Sequence, residues 1–405
     1  MKRILLAGSA AAALMAMAAP ASAQFVVSMR GDMEFTAGYI DRQQDTGLRD
    51  SEFANRFRVD IRADAKADNG LQYGVRLRLR ALTNSSAAGG ATVDYDRALA
   101  YASLPQFGRI DVGTIPGYSD GTFNTMWEYD QCQTSGGWDC AGNGGWQDFV
   151  SSNNANTNTD VSNKLPGTNV YNTLSRQGNA TRFVYSTPVF NGFSASASYA
   201  PRVDSSGTDV NLVATTGIQD VYEIGALYDN KFGDIRFRVN GSYIGGSNPK
   251  LTSSSPANGY YSVQQYNAAI RVDYQGFAIG GGYVNDGKCT SNSCTAKQTS
   301  AGYFKADDHT VWNINAQYAT GPLNQANTIV FGGGFLQARD SGTATVPGSR
   351  RLNDWQVAAN YIIAPGLSQV FEYDYFTARS EGVSSSSVIT KDEGSVFLLR
   401  TNLSF

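Results

Sequence analysis

The chain has little charge, one histidine and no long apolar run beyond its first residues. Of 405 residues only 17% are charged, against about 25% in an ordinary soluble domain. The single histidine, His309, stands next to Asp307 and Asp308 in sequence. General-base catalysis needs a base that a third group aims at a nucleophile. Adjacent aspartates do not supply that arrangement, so a solvated loop histidine is the expectation and a barrel protease or lipase is set aside. Four cysteines without histidine companions do not make a zinc site. Three disulfide connectivities are open to them, and the close spacing of Cys132 to Cys140 and of Cys289 to Cys294 favours two local bridges. Each would add about 2–3 kcal/mol, with the greater use of holding a loop's shape. No segment after residue 23 approaches ~18 consecutive apolar residues, which excludes a membrane-spanning helix. No calcium-loop spacing occurs, no cofactor is expected, and structural calcium is left open. Nothing points to nucleic acid as a partner.

The first 23 residues read as a cleaved export signal. Lys2 and Arg3 form a charged start, an apolar stretch follows, and Ala21-Ser22-Ala23 makes an A-x-A site. Its removal takes two positive charges with it and moves the formal net charge from −3 to −5. An exported chain also favours oxidised cysteines.

Residues 24–405 are rich in glycine (43 in the whole chain) and in aromatics, at 12%. Apolar and polar residues alternate with period two in sixteen segments, the signature of half-buried strands. They are 26–40, 52–68, 71–83, 94–104, 109–115, 180–187, 193–200, 220–229, 234–244, 262–274, 277–285, 310–320, 326–338, 352–362, 367–378 and 394–405. Most are long enough to cross a bilayer tilted, which takes about 9–11 residues; 109–115 and 180–187 are marginal. From the second segment on, tight links such as Asn69-Gly70 and Gln275-Gly276 alternate with long polar ones. A soluble sandwich has no reason to put every long loop at one end. A transmembrane β-barrel does, with an even strand number and both termini at the short-turn end. Proline is kept out of central strands, and after residue 23 it occurs only at 105, 116, 166, 188, 201, 249, 256, 322, 347 and 365, all within the expected turns and loops. The fold class is therefore all-β, a single 16-stranded antiparallel transmembrane barrel over 24–405.

The same alternation assigns faces. Phe57, Val59, Ile61 and Ala63 face lipid on the second strand, which points Arg56, Arg58 and Arg62 into the lumen. Val75, Leu77 and Leu79 face lipid on the third, leaving Arg76, Arg78 and Arg80 inside. An arginine at the lipid midplane costs about 2–4 kcal/mol, so arginines in alternate positions belong to a wet interior. Arg236 and Arg238 repeat the pattern, Arg182, Arg271 and Arg400 add single charges, and Asp354, Glu372 and Asp374 are inward acids placed against them. Tyr39, Tyr228, Tyr243, Tyr274, Trp312, Tyr318, Trp355 and Tyr361 sit near strand ends, where interfacial girdles belong.

One stretch, residues 116–177, has neither period. It carries Trp127, Trp138 and Trp146, the Cys132–Cys140 spacing, and the acids Glu128, Asp130, Asp139 and Asp148. A structureless insert of about sixty residues within one domain is expected to be functional.

The turn Phe107-Gly108-Arg109-Ile110-Asp111-Val112-Gly113, the hairpin around Ser186-Thr187-Pro188-Val189-Phe190-Asn191-Gly192-Phe193 and the terminal stretch ending in Phe405 resemble Gram-negative general porins, most of all the alphaproteobacterial branch. The resemblance implies an outer-membrane homotrimer passing small hydrophilic solutes by passive diffusion. Its third external loop, here 116–177, would bend inward as a constriction whose acids Glu128, Asp130, Asp139 and Asp148 face the basic wall. It further implies that Phe405 is read by the barrel-assembly machinery, and that outer-membrane lipid and lipopolysaccharide surround the barrel. A disulfide in that loop, and the loop's length, depart from the family pattern. A sugar-selective channel of the same architecture is the alternative, and would use an aromatic track along the lumen.

Overall fold

The computed structural model describes residues 24–43, 49–82, 92–118, 145–150, 179–202, 218–247, 262–288, 298–299, 302–303, 308–342, 347–380 and 391–405. Its strands are β1 (Val26–Arg42), β2 (Ser51–Lys66), β3 (Gln72–Leu82), β4 (Thr92–Leu104), β5 (Gly108–Ile115), β6 (Ala180–Ser186), β7 (Phe193–Arg202), β8 (Gln219–Phe232), β9 (Ile235–Ser247), β10 (Val263–Tyr274) and β11 (Phe277–Gly287). After a short hairpin, β12 (Gln298–Thr299) and β13 (Gly302–Tyr303), come β14 (His309–Ala319), β15 (Thr328–Gly342), β16 (Pro347–Ala364), β17 (Leu367–Ser380) and β18 (Lys391–Ser404). One helical turn, α1 (Trp146–Val150), lies between β5 and β6.

All strands but β12 and β13 form one closed barrel of sixteen, antiparallel throughout, each paired with its neighbour in the chain and β1 paired with β18. Closure leaves no sheet edge, so every backbone group finds its partner within the sheet, as a bilayer requires. At the seam Gly31 and Phe405 exchange two backbone hydrogen bonds of 2.9 and 3.0 Å. The short links sit at one end. Gln275 and Gly276, with φ of 46° and 86°, show how tight they are: two successive positive φ values match the twist of the flanking strands. Pro201 and Pro347 lie within β7 and β16 rather than in loops. Both stand at or next to a loop-side strand end, where a missing N–H does little harm.

Inside and outside separate as the alternation requires. Phe35, Phe57, Val75, Ile224, Ile279, Ile314, Val357, Phe371 and Leu399 are exposed on the outer face, a band stable only against lipid. Two aromatic levels border it. Trp312, Phe335, Trp355 and Tyr375 follow one another around the long-loop end with ring centroids 5.0, 5.1 and 5.8 Å apart. Phe277 and Tyr318 stack at 4.4 Å near the turn end.

The interior is not uniformly polar. Near the long-loop end, inward residues Ile40, Ala180, Ala200, Val221, Ile244, Val263, Val284, Val311, Leu336, Leu352, Phe376 and Val396 are buried in one apolar cluster with Trp146, Phe149 and Val150 of α1. Among the described residues, every barrel strand contributes to this collar except β2 to β5. The water-lined interior expected from the alternation is thus replaced, over most of the circumference at this level, by packed core.

Candidate functional site

The sector β2–β5 that the collar omits carries the arginines. The register sets Arg58 directly opposite Arg80, Arg62 opposite Arg76 and Arg78 opposite Arg97. Like charges facing each other across a ladder destabilise it, and interleaved acids offset this. Arg56 pairs with Asp32 at 3.2 Å and with Glu34. Arg58 pairs with Asp32 at 3.0 Å. Arg76 donates to Asp60 through two nitrogens, one at 2.7 Å. Arg78 Nε donates to Asp96 at 2.7 Å. Arg109 grips Asp111 at 2.6–3.0 Å and lies over the Tyr101 ring, 3.9 Å from its centroid.

Arg97 was not legible from the alternation. Between Arg78↔Arg97 and Leu79↔Tyr95 the register shifts by one residue. This bulge at Asp96 re-aims the strand, so that Arg97, Leu99 and Tyr101 line the lumen while Tyr95 points out. The sequence does carry a trace of it. Val93 and Tyr95 claim the outer face at odd positions, whereas Ala98, Ala100 and Ala102 claim it at even ones.

Burial divides the wall further. Arg56 and Arg78 are buried, and these are held by two acids and by Asp96 respectively. The Arg76 and Arg109 side chains stay 24% and 43% exposed. Arg236 and Arg238 face inward at the turn end of β9, paired with Asp229 at 2.6 Å and Asp273 at 3.0 Å, so they line that mouth and not the arginine wall. Asp354, Glu372 and Asp374 do not oppose the wall as expected. They lie on β16 and β17, buried, and Glu372 is bound locally by Arg400 at 3.3 Å. The wall's true counterpart, on β10, β11, β14 and β15, carries the neutral amides Gln265, Asn267, Asn313, Asn315 and Gln317. Bonds along β14, such as Asn315 Nδ2 to Asn313 Oδ1 at 3.0 Å, and across to β11, such as Gly282 N–H to Asn313 Oδ1 at 3.1 Å, make the middle of that face polar through amides, with the charged Arg271–Asp273 pair at its turn end.

The two described parts of the insert are fastened to opposite walls. At its start the backbone N–H of Tyr118 donates to Glu223 of β8 at 2.9 Å, with Arg182 of β6 3.8 Å from the same carboxylate oxygen. The Tyr118 ring occupies the space that a Cβ at Gly225 would need. Further on, the Phe149 ring lies over inward-facing Gly38 of β1 in the same way. Arg42 donates to the carbonyls of Phe149 and Val150 at 3.4 and 3.3 Å and to Asp392 of β18 at 2.7 Å. In the barrel order β8 stands half the circumference from β18 and β1. Glu128, Asp130, Asp139 and all four cysteines lie outside the described residues, and so does the side chain of Asp148.

His309 is not a solvated loop residue. It opens β14 on the inner face, 2% exposed, with Nδ1 3.4 Å from Asp286. A register shift between Asn285 and Gly287 turns Asp286 toward it. No hydroxyl hydrogen-bonds to the ring among the described residues. Among the same residues no cluster of His, Cys, Asp or Glu suits a metal ion.

No curated protein matches the sequence. Among solved structures the chain is similar to the anion-selective porin from Comamonas acidovorans, at 11% identity and TM-score 0.55, covering 94% of this chain and all of that one. It is similar to the outer membrane channel DcaP of Acinetobacter baumannii, at 10% identity and TM-score 0.58, over 96% and 99% of the two chains. It also resembles OmpT, an outer membrane protein of Vibrio cholerae in trimer form, at 11% identity and TM-score 0.54, over 94% and 99%. These likenesses concern the fold. A family model described as Gram-negative porin matches residues 10–381. With the closed sixteen-stranded barrel, its lipid-facing band and its charged inner wall, that match places the chain in the Gram-negative porin family, whose members are outer-membrane diffusion channels.

Proposed function

We propose that solutes cross this barrel along one side, past the arginine wall of β2–β5, and that residues 116–177 cross the lumen and set the width of the path. The observation that carries this reading is the distribution of exposure. Near the long-loop end the inward residues of the other strands are buried in the apolar collar, while Arg58, Arg62, Arg76, Arg80, Arg97 and Arg109 keep contact with water. The opposite anchors at Tyr118 and Phe149 support a crossing insert. Fixed charge near a narrow path sorts ions by sign, and this wall favours anions. Glu128, Asp130, Asp139 and Asp148 are proposed as the acidic side of the constriction. Within the described lumen Trp146, Phe149 and Phe376 are buried and the Tyr101 ring is covered by Arg109, which favours a charge-sorting path over an aromatic track for sugars. Self-association as a trimer, a cleaved signal over 1–23, lipopolysaccharide contact and recognition of Phe405 by the assembly machinery complete the reading.

The test is the reversal potential of the purified protein in planar bilayers under a salt gradient. Replacing Arg76 and Arg78 together by Ala is expected to shift it toward cation preference. An unchanged potential would remove this wall from the permeation path.

A further inference from the structure

We propose that the wall contains a built subsite for small organic carboxylates with an apolar body, in the cleft between β2–β6 and the root of the insert; this rests on the reading of β2–β5 as the wet side of the pore. The cleft measures about 340 Å³ and lies between mid-barrel and the turn end, a volume at the small end of ligand sites. Its lining is mixed in chemistry: Arg62, Arg76, Arg97 and Arg109 supply positive charge, and Leu99, Ile115, Pro116 and Val184 supply apolar surface.

The positive charge has an unmet demand. Arg62 and Arg76 are directly opposed in register, with Cβ atoms on the order of 5 Å apart, near enough for one carboxylate to bridge both guanidinium groups. The protein's own acids are already engaged. Asp60 is held by Arg76 at 2.7 Å, Asp64 accepts the Tyr101 hydroxyl at 2.7 Å, and Asp111 is gripped by Arg109. Arg62 forms no ion pair or hydrogen bond with any described residue, and its Nε is buried without a partner. A planar carboxylate matches a guanidinium fork.

The apolar surface decides between anions. Inorganic phosphate would satisfy Arg62 and offer no apolar contact to Leu99 or to the small edges that the buried Ile115 and Val184 present. A neutral sugar would leave the charge uncompensated and set hydroxyls against those side chains, where a polar group without a partner is costly. A carboxylate on a ring or short alkyl body satisfies both at once.

Single-channel recording with benzoate tests this. Benzoate should interrupt the current in a concentration-dependent manner, while benzyl alcohol, its neutral analogue, should not. Arg62→Gln should weaken benzoate block about tenfold or more, the loss expected for one charged hydrogen-bonding partner. Leu99→Ser should weaken benzoate block and leave any block by inorganic phosphate as it was, so the subsite stays testable if Arg62→Gln does not fold. Equal block by phosphate and benzoate, unaffected by Leu99→Ser, would overturn the apolar half. Unchanged benzoate affinity in Arg62→Gln would overturn the subsite. A channel that conducts without benzoate block refutes this proposal alone; a folded protein that does not conduct refutes the pore itself, and the subsite with it.

Discussion

Glu223→Gln keeps the side chain's shape and removes its charge, which makes it a sharp probe of the insert's root. Glu223 is fully buried, accepts the Tyr118 N–H at 2.9 Å and lies 3.8 Å from Arg182, itself almost without solvent contact. Breaking a buried ion pair by removing one partner costs about 3–5 kcal/mol. A hydrogen bond to a charged acceptor contributes about 1.5–3 kcal/mol, and to a neutral amide about half of that. These costs overlap, so the expected total for Glu223→Gln is about 3–5 kcal/mol. The double change Arg182→Met with Glu223→Leu leaves neither charge alone, and should recover at least half of the lost stability. Stability is read from urea unfolding in micelles by tryptophan fluorescence, and the anchoring role from fluctuations of the open-channel current. Glu223→Gln weakens the bond from the Tyr118 N–H and should make the current noisier, and the double variant should stay noisy, because a leucine side chain offers that N–H no acceptor. A Glu223→Gln protein within about 1 kcal/mol of the parent, with a steady current, would show that this contact neither stabilises the barrel nor holds the insert.

Three further outcomes follow from other parts of the wall. Phe376→Ala removes a fully buried ring from the collar and should cost about 3–5 kcal/mol in urea unfolding; Phe371→Ala, on the lipid face of the same strand, should cost clearly less, and parity between the two would contradict the collar. Deleting Phe405 breaks both hydrogen bonds to Gly31 and uncovers that glycine, so the heat-modifiable folded form in outer-membrane fractions should fall; an undiminished level would sink its role in assembly. Alkylation without reductant should label none of Cys132, Cys140, Cys289 or Cys294, and a single labelled thiol would break the two-bridge pairing read from the spacing.

The strands were legible because a barrel wall enforces period two on every crossing, and because proline and long loops mark where crossings stop. Short β5 and β6 were legible too, since Arg109 and Ala180 are bounded by a turn and by the aperiodic insert. The rows from Arg56 to Arg80 followed from the cost of charge in lipid. Arg97 and Asp286 were missed for one physical reason: a bulge inverts parity without changing composition. The collar was missed because inward was equated with wet. Its trace is a loss of alternation near the long loops, where Tyr243-Ile244, Tyr283-Val284, Val311-Trp312 and Val396-Phe397 are apolar on both faces. Such pairs fit lipid outside and packed protein inside.

That distinction also explains why one sector stays open. Covering an inner wall with other parts of the chain is favourable where the wall is apolar, since each buried Val or Leu side chain contributes about 1.5–3 kcal/mol. It is unfavourable where the wall carries charge, because a buried guanidinium must keep a partner or lose several kcal/mol of solvation. On β2–β5 three arginine pairs oppose one another, and the nearby acids are shared out among them. Arg56 and Arg78, the two arginines of this wall that are buried, are each tied to acids, whereas Arg62 has none within the described structure. Among the described residues packed apolar core stops at the edge of this sector, as the proposed path requires. The position of the path is set by which inward residues can lose their hydration, so moving charge would move the path. Replacing Val221 and Ile244 on the collar by arginine should open a second wet sector and raise conductance, provided the barrel still closes.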